Sequence, residues 1–250
     1  MINILFFGSS ANSAVVKNAL IKAGYAVTVY NSVNDRKRIY IDDLIISADY
    51  GKKLPPGGLN LHPSLLPKYR GPTPVPQQIF NNETESGITI IKMTDEFDAG
   101  PIIAQEKVPI LPNDTAPVLL TRCFTAGAKL LVKILPDYLN NKITQKKQDE
   151  ALATYTRKFT KADGFIPWEE FVKSLKIENC KLRIERAARA LYPWPGVWTK
   201  MPASTRVRSS TRGRPNNKSL KLLPKNLVQL EGKSPITLKQ FLAGYQHLLK

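Results

Sequence analysis

Asn60 and His62 stand two residues apart, interleaved with Leu59 and Leu61. In an extended strand that alternation turns the amide and the imidazole to one face and the leucines to the other. The chain then meets Pro63, Pro67, Pro72, Pro74 and Pro76. Each proline fixes φ, lacks an N–H and biases its predecessor away from helix, so the strand must stop and give way to a stiff loop. Polar groups at the C-terminal end of a strand sit where open α/β sheets hold their ligands. A second stretch, residues 87–105, reads GITIIKMTDEFDAGPIIAQ. Ile88 and Ile90 mark a buried strand, TDEFDAG a polar turn, and residues 102–104 the start of another strand. Asp98 closes that turn, ahead of Gly100-Pro101. A carboxylate beside an imidazole orients the ring and favours its charged form. An amide, an imidazole and a carboxylate suit acyl transfer to an amine: donors hold the oxyanion of a tetrahedral intermediate, and a base takes the proton of the amine. Singly, each residue has a plainer use. Asn60 could cap a strand end, His62 could bond to backbone, and Asp98 could be a turn residue before glycine.

The elements that must carry these groups read as an α/β domain. Residues 2–7 form a continuous apolar run ending in Gly8-Ser9-Ser10. Residues 14–23 repeat apolar side chains at the helical period, with Gly24 as a C-terminal stop, and residues 26–30 are the second strand. This is a βαβ unit of the Rossmann kind. Its first turn has a single glycine, so the dinucleotide fingerprint G-x-G-x-x-G is missing. Residues 39–47 are a third strand, residues 74–81 a helix, and residues 118–140 a long helix with an apolar stripe. The predicted layout is a catalytic domain over 1–140, a linker over 141–160 and a small domain over 161–250. In the latter, a basic helix is expected over 177–191, with Ile177, Ile184, Ala188 and Leu191 inward and Arg183, Arg186 and Arg189 outward.

Charge is unevenly spread. The chain of 250 residues carries a net charge of +17, and residues 151–250 hold 20 Lys and Arg against 6 Asp and Glu. Between 200 and 225 there are eight basic residues and no acid: Lys200, Arg206, Arg208, Arg212, Arg214, Lys218, Lys221 and Lys225. Such a concentration favours a polyanionic partner. Cys123 and Cys180 lie far apart and read as reduced, packed thiols. His62 and His247 are the only histidines, so no metal-ligand cluster is expected. No apolar run reaches the roughly 18 residues of a membrane span, and MINILFFGSS lacks the basic start of a secretory leader, so a cytoplasmic protein is expected.

LNLHPSLLPKYRGPTP followed by SGITIIKMTDEFDAGPII resembles the formyltransferases that use 10-formyltetrahydrofolate. The resemblance implies that Asn60, His62 and Asp98 are catalytic, with Asn60 and His62 donating to the formyl oxygen. It also implies a folate cleft walled by Tyr50, Gly51, the loop Ser64, Leu65, Leu66 and Pro67, and the turn from Asp95. Arg70 would hold either a loop carboxylate or the folate tail. ATYTRKFTKADGFIPW, ARALYPWPGVWT and VQLEGKSPITLKQFLAGY resemble the methionyl-tRNA branch of that family. On that basis the fold class is a Rossmann-like, parallel-rich α/β domain followed by an open β-barrel of the OB type, a common oligonucleotide-binding shape. The partner implied is initiator methionyl-tRNA, met by a monomer. Members of this branch normally carry a further βα unit and a longer basic loop before the segment equivalent to DLIISADYG. This chain runs almost directly to it, and the connection from Tyr50-Gly51 to Asn60 is reduced to KKLPPGGL. Arg36, Lys37 and Arg38 are the candidate replacements for the basic loop, with Arg206, Arg208, Arg212, Arg214 and Lys218 as phosphate contacts in the small domain. Three other functions stay open: an amino-sugar N-formyltransferase with the same trio, a tRNA-binding protein that has lost catalysis, and a formyl-folate hydrolase that uses water in place of the amine.

Overall fold

A computed structural model describes residues 2–30, 43–202 and 218–246. The chain forms two compact units, Met1–Pro112 with Pro117–Lys158, and Asn113–Ala116 with Phe159–Lys250.

The first unit is built on six strands in the order β2-β1-β3-β4-β5-β6. They are β1 (Asn3–Phe7), β2 (Ala26–Tyr30), β3 (Asp43–Ala48), β4 (Leu59–His62), β5 (Glu85–Lys92) and β6 (Ile102–Pro109). The first four run parallel, and β5 and β6 are antiparallel to their neighbours. Continuous apolar runs explain the parallel half: Ile4, Leu5, Phe6, Phe7, Ile46 and Leu59 are all buried, as strands covered on both faces require. Between β1 and β2, α1 (Ala11–Lys22) starts at Ser10, whose hydroxyl accepts from the Ser13 N–H. The short helix α2 (Pro74–Phe80) begins at Pro74, where the missing N–H costs nothing. The long helix α3 (Ala116–Leu139) buries Leu119, Cys123, Phe124, Leu131 and Leu135. Its spacing is the apolar stripe of the sequence.

The stretch read as a linker is largely part of this unit. Residues 146–157 run as a strap along the loop after β4. Arg70 N donates to Thr154 O, Thr156 N to Arg70 O, and Tyr69 N to Thr154 Oγ1. Its polar composition hides this, because the strap is held by hydrogen bonds instead of an apolar face.

The second unit holds α4 (Trp168–Ser174), α5 (Glu178–Ala190), α6 (Leu238–Tyr245) and a four-stranded antiparallel sheet, β10-β9-β8-β7. Its strands are β7 (Val197–Lys200), β8 (Ser219–Leu223), β9 (Leu227–Leu230) and β10 (Ile236–Thr237). Phe171, Ile184, Leu191, Val197, Leu220, Val228 and Phe241 are its buried centre. Of the residues expected inward on α5, Ile184, Ala188 and Leu191 are buried, whereas Ile177 sits at the N-cap and is exposed. Trp168 packs against Phe171, and Trp198 against Phe165. No helix among the described residues is long and apolar enough to cross a membrane.

Candidate active site

Strand β4 lies between β3 and β5, with Asn60 opposite Ser47 and Ile91, and His62 opposite Thr89. It ends where the proline-rich loop begins. That loop is tied down by one buried hydroxyl. Thr89 Oγ1 donates to Ser64 O at 2.6 Å and accepts from Leu66 N at 3.1 Å and Gln105 Nε2 at 2.9 Å. Leu66 joins Ile91 and Ile102 in a small apolar cluster. These bonds set the exit path from β4 and bring Tyr69 back toward His62.

His62 is 4% exposed. Its Nε2 donates to Tyr69 O at 2.9 Å, and its Nδ1 lies 3.3 Å from Asp98 Oδ1. Both ring nitrogens face oxygen atoms, a backbone carbonyl on one side and a carboxylate on the other. Asp98 itself sits in left-handed backbone, φ 56°, and its other oxygen accepts from Gly71 N at 2.8 Å. Two glycines make the approach of these segments possible. A Cβ on Gly71, at φ +107°, would lie 2.7 Å from Thr156 O, and one on Gly100 would lie 1.8 Å from Lys92 O. Neither position admits a side chain without moving backbone.

Burial alone would raise the Asp98 pKa. The hydrogen bond and charge of His62, the Gly71 N–H and the Arg70 charge outweigh it and hold the carboxyl below its ordinary value of 3.8. A carboxyl depressed on folding contributes stability above its unfolded pKa and loses it as pH falls through the folded value. Stability should therefore drop on acidification below about pH 4, and Asp98→Asn should flatten that part of the acid limb. Denaturant midpoints measured across the acid range check this. An Asp98→Asn variant with the same acid limb as the wild type would contradict it.

Asn60, His62 and Asp98 all line one cavity of about 520 Å³. It opens beyond the C-terminal ends of β3 and β4, the usual ligand position in such sheets. Apolar walls come from Leu54, Leu61, Ile91, Met93 and Phe124, and the exposed Phe97 stands in its lining. Among the described residues the Asn60 side chain has no hydrogen-bond partner and is the uncommitted group of the three. The nitrogens of His62, in contrast, are engaged within the protein.

Tyr50, Gly51 and Asp95 also line the cavity. Ser64, Leu65, Leu66 and Pro67 are not in its walls. Ser64 is fully buried with its hydroxyl donating to Lys68 O, and Leu66 is packed in the apolar cluster. Ser64 O and Leu66 N bond to Thr89 Oγ1 and so fasten this loop to β5. Arg70 is 2% exposed and is likewise turned away from the cavity. It bonds both oxygens of Glu150 at 2.8 Å, Gln148 Oε1 at 2.8 and 3.1 Å, and Tyr155 OH at 3.2 Å. Of the two options for Arg70, the loop carboxylate is the one observed. Lys158 and Thr73 line the cavity without having stood out in the sequence; Lys158 lies within the stretch read as linker. Arg36, Lys37, Arg38, Arg206, Arg208, Arg212 and Arg214 lie outside the described residues. Lys218 is exposed beside β8.

The profile of the formyl transferase family matches residues 34–135, which enclose all three candidate catalytic residues. A methionyl-tRNA formyltransferase of Dehalococcoides mccartyi is 31% identical over 234 residues, covering 82% of this chain and 71% of the relative. The chain belongs to the methionyl-tRNA formyltransferase family. Family members from Roseiflexus sp. and Chloroflexus aurantiacus are 37% identical over 205 residues and 45% over 147, covering 77% and 58% of this chain. The chain spans only 60% and 44% of those two relatives. Among solved structures, HypX from Aquifex aeolicus in complex with tetrahydrofolic acid aligns with a TM-score of 0.67 at 17% identity, covering 100% of this chain and 47% of its own. An N-formyltransferase from Helicobacter canadensis, in complex with folinic acid and dTDP-3-aminofucose, aligns at 0.61 and 19%, covering 88% and 95%. At these identities the two structures speak for the formyltransferase fold alone.

Proposed function

We propose that this protein transfers a formyl group from 10-formyltetrahydrofolate to the α-amine of initiator methionyl-tRNA. The observation that carries the reading is the convergence of an uncommitted amide and an imidazole–carboxylate pair on one cavity, in a chain of this family. The amine nitrogen of the methionyl group attacks the formyl carbon. The carbonyl electron pair moves onto oxygen, where Asn60 Nδ2 donates and the charged His62 ring offsets the negative charge. Asp98 holds the ring in place. As the bond from the formyl carbon to N10 of the folate breaks, the proton lost by the amine passes by way of the Asp98 carboxylate, which lines the cavity, to N10. The apolar walls and Tyr50, Gly51 and Asp95 suit a flat heterocycle with polar edges; a cavity of about 520 Å³ is within the range for a ligand of that class.

In the second unit we read the antiparallel sheet as an open barrel of the OB type, with Lys218 and the neighbouring arginines neutralising phosphates of the tRNA without reading its sequence. The amino-sugar reading is less well supported. Relatives at 31–45% identity are named for methionyl-tRNA, whereas sugar formyltransferases are similar at 18–22%. Incubating the protein with 10-formyltetrahydrofolate and charged initiator methionyl-tRNA should yield formylmethionyl-tRNA. Turnover only with an amino-sugar nucleotide would replace this reading, and tRNA binding without turnover would mark a module that has lost catalysis.

A further inference from the structure

Asp98 stands on an exposed turn, between β5 and β6, that has little apolar packing of its own: Asp95, Glu96 and Phe97 are exposed. Its backbone is nevertheless fixed from outside the sheet. Gln148, 4% exposed, donates from Nε2 to Asp98 O and to Gly100 O, both at 2.7 Å. Its Oε1 accepts two bonds from Arg70. Arg70 in turn is gripped by Glu150, and the backbone of residue 70 is bridged to the strap at Thr154 and Thr156. All the hydrogen-bonding groups of the Gln148 amide are occupied, and they link the strap, the loop after β4 and the turn of Asp98.

We propose that Gln148 is a positioning residue for the Asp98–His62 pair, setting the turn backbone so that the carboxylate meets His62 Nδ1 and Gly71 N together. This rests on the formyl-transfer reading only for its kinetic consequence. The geometric content is independent of the substrate. The amide is suited to the task because it donates twice and accepts twice while neutral. It therefore brings no second negative charge beside a carboxylate that must stay ionised. The two donations go to the carbonyl of the left-handed Asp98 and to that of Gly100, two residues on. Non-glycine residues hold such a conformation only when surrounding structure imposes it. Misplacing a reacting group by about 1 Å can cost about 10²-fold in rate, so this support acts on turnover more than on binding.

Two variants of the full chain test it. Gln148→Met removes every bond and adds no charge; Gln148→Glu keeps an oxygen for Arg70 and removes both donations to the turn. Both should lower kcat by about tenfold to a hundredfold with KM for folate and tRNA unchanged. In Gln148→Met the carboxyl carbon resonance of Asp98, assigned by its loss in Asp98→Asn, should titrate closer to an ordinary carboxyl than in wild type. The charged groups facing Asp98, His62 on β4 and Arg70 in the loop, are unaltered in that variant. Wild-type kcat in Gln148→Glu, or an unmoved Asp98 titration in Gln148→Met, overturns the proposal. Because the resonance needs no substrate, a wild-type protein inactive on methionyl-tRNA would sink the activity and leave the positioning to be decided by the spectrum.

Discussion

Asn60→Ala should lower kcat for formyl transfer by about 10²–10³, the loss seen when one oxyanion donor is removed from a preorganised site. Asn60 is the side chain for which this cost is most direct. Among the described residues its amide has no hydrogen-bond partner, so no bond to them must be broken before it can donate, and none of them is orphaned when it is removed. Melting temperature should stay near the wild-type value, and KM for either substrate should change little, because the bond strengthens mainly as charge develops on oxygen. His62→Ala offers a contrast. It removes charge and ring together, orphans Tyr69 O and leaves the buried Asp98 without its counter-charge, so loss of rate should come with loss of stability. A rate for Asn60→Ala within tenfold of wild type would mean that the oxygen is stabilised elsewhere.

Arg70→Ala should destabilise the first unit by about 3–5 kcal/mol, combining the cavity left by a large buried side chain with an orphaned Gln148 carbonyl. The residue is 2% exposed and directs its guanidinium at Gln148, Glu150 and Tyr155 at once. Arg70→Lys should recover less than half of the loss, since an ammonium cannot reproduce the planar fork that meets both oxygens of Glu150. Chemical denaturation with matched controls measures this. A loss under about 1 kcal/mol, the scale of an exposed ion pair, would mean that the strap is held without Arg70.

The parts of this design that the sequence displays are those written in local spacing. Alternation of Asn60 and His62 with two leucines, broken by prolines, locates a strand end with two polar groups, because a strand's period of two is visible over four residues. The apolar runs of β1 and β3 and the stripe of α3 are legible for the same reason. Asp98 needs more, since turn carboxylates are common; its pairing with His62 becomes an expectation only through the family resemblance. Gln148 and Thr89 carry no signal at all. Their importance arises from bonds to residues far away in sequence, 148 to 98 and 89 to 64, and a single polar side chain does not announce a distant partner. The motif Ser64-Leu65-Leu66-Pro67 can be read in two ways. A strict local pattern is equally the mark of a ligand wall and of a loop that must fit under a neighbouring strand, and here the loop is lashed to Thr89. In the second unit α4 escapes notice because Pro167-Trp168-Glu169-Glu170 looks like a lead-in to the basic helix. Proline before the first turn and acids within it are, in fact, a helix start.

The strap has a consequence for how such chains can be rearranged over evolutionary time. The stretch from 146 to 158 is the road from the first unit to residue 159, yet it also braces the carboxylate on which turnover is proposed to depend. A recombination that swapped the downstream unit for another could not cut at residue 140, where the long helix ends, without leaving the acid unsupported. The exchangeable cassette would have to begin after Lys158, so descendants that recruit new cargo-binding modules should inherit the brace unchanged.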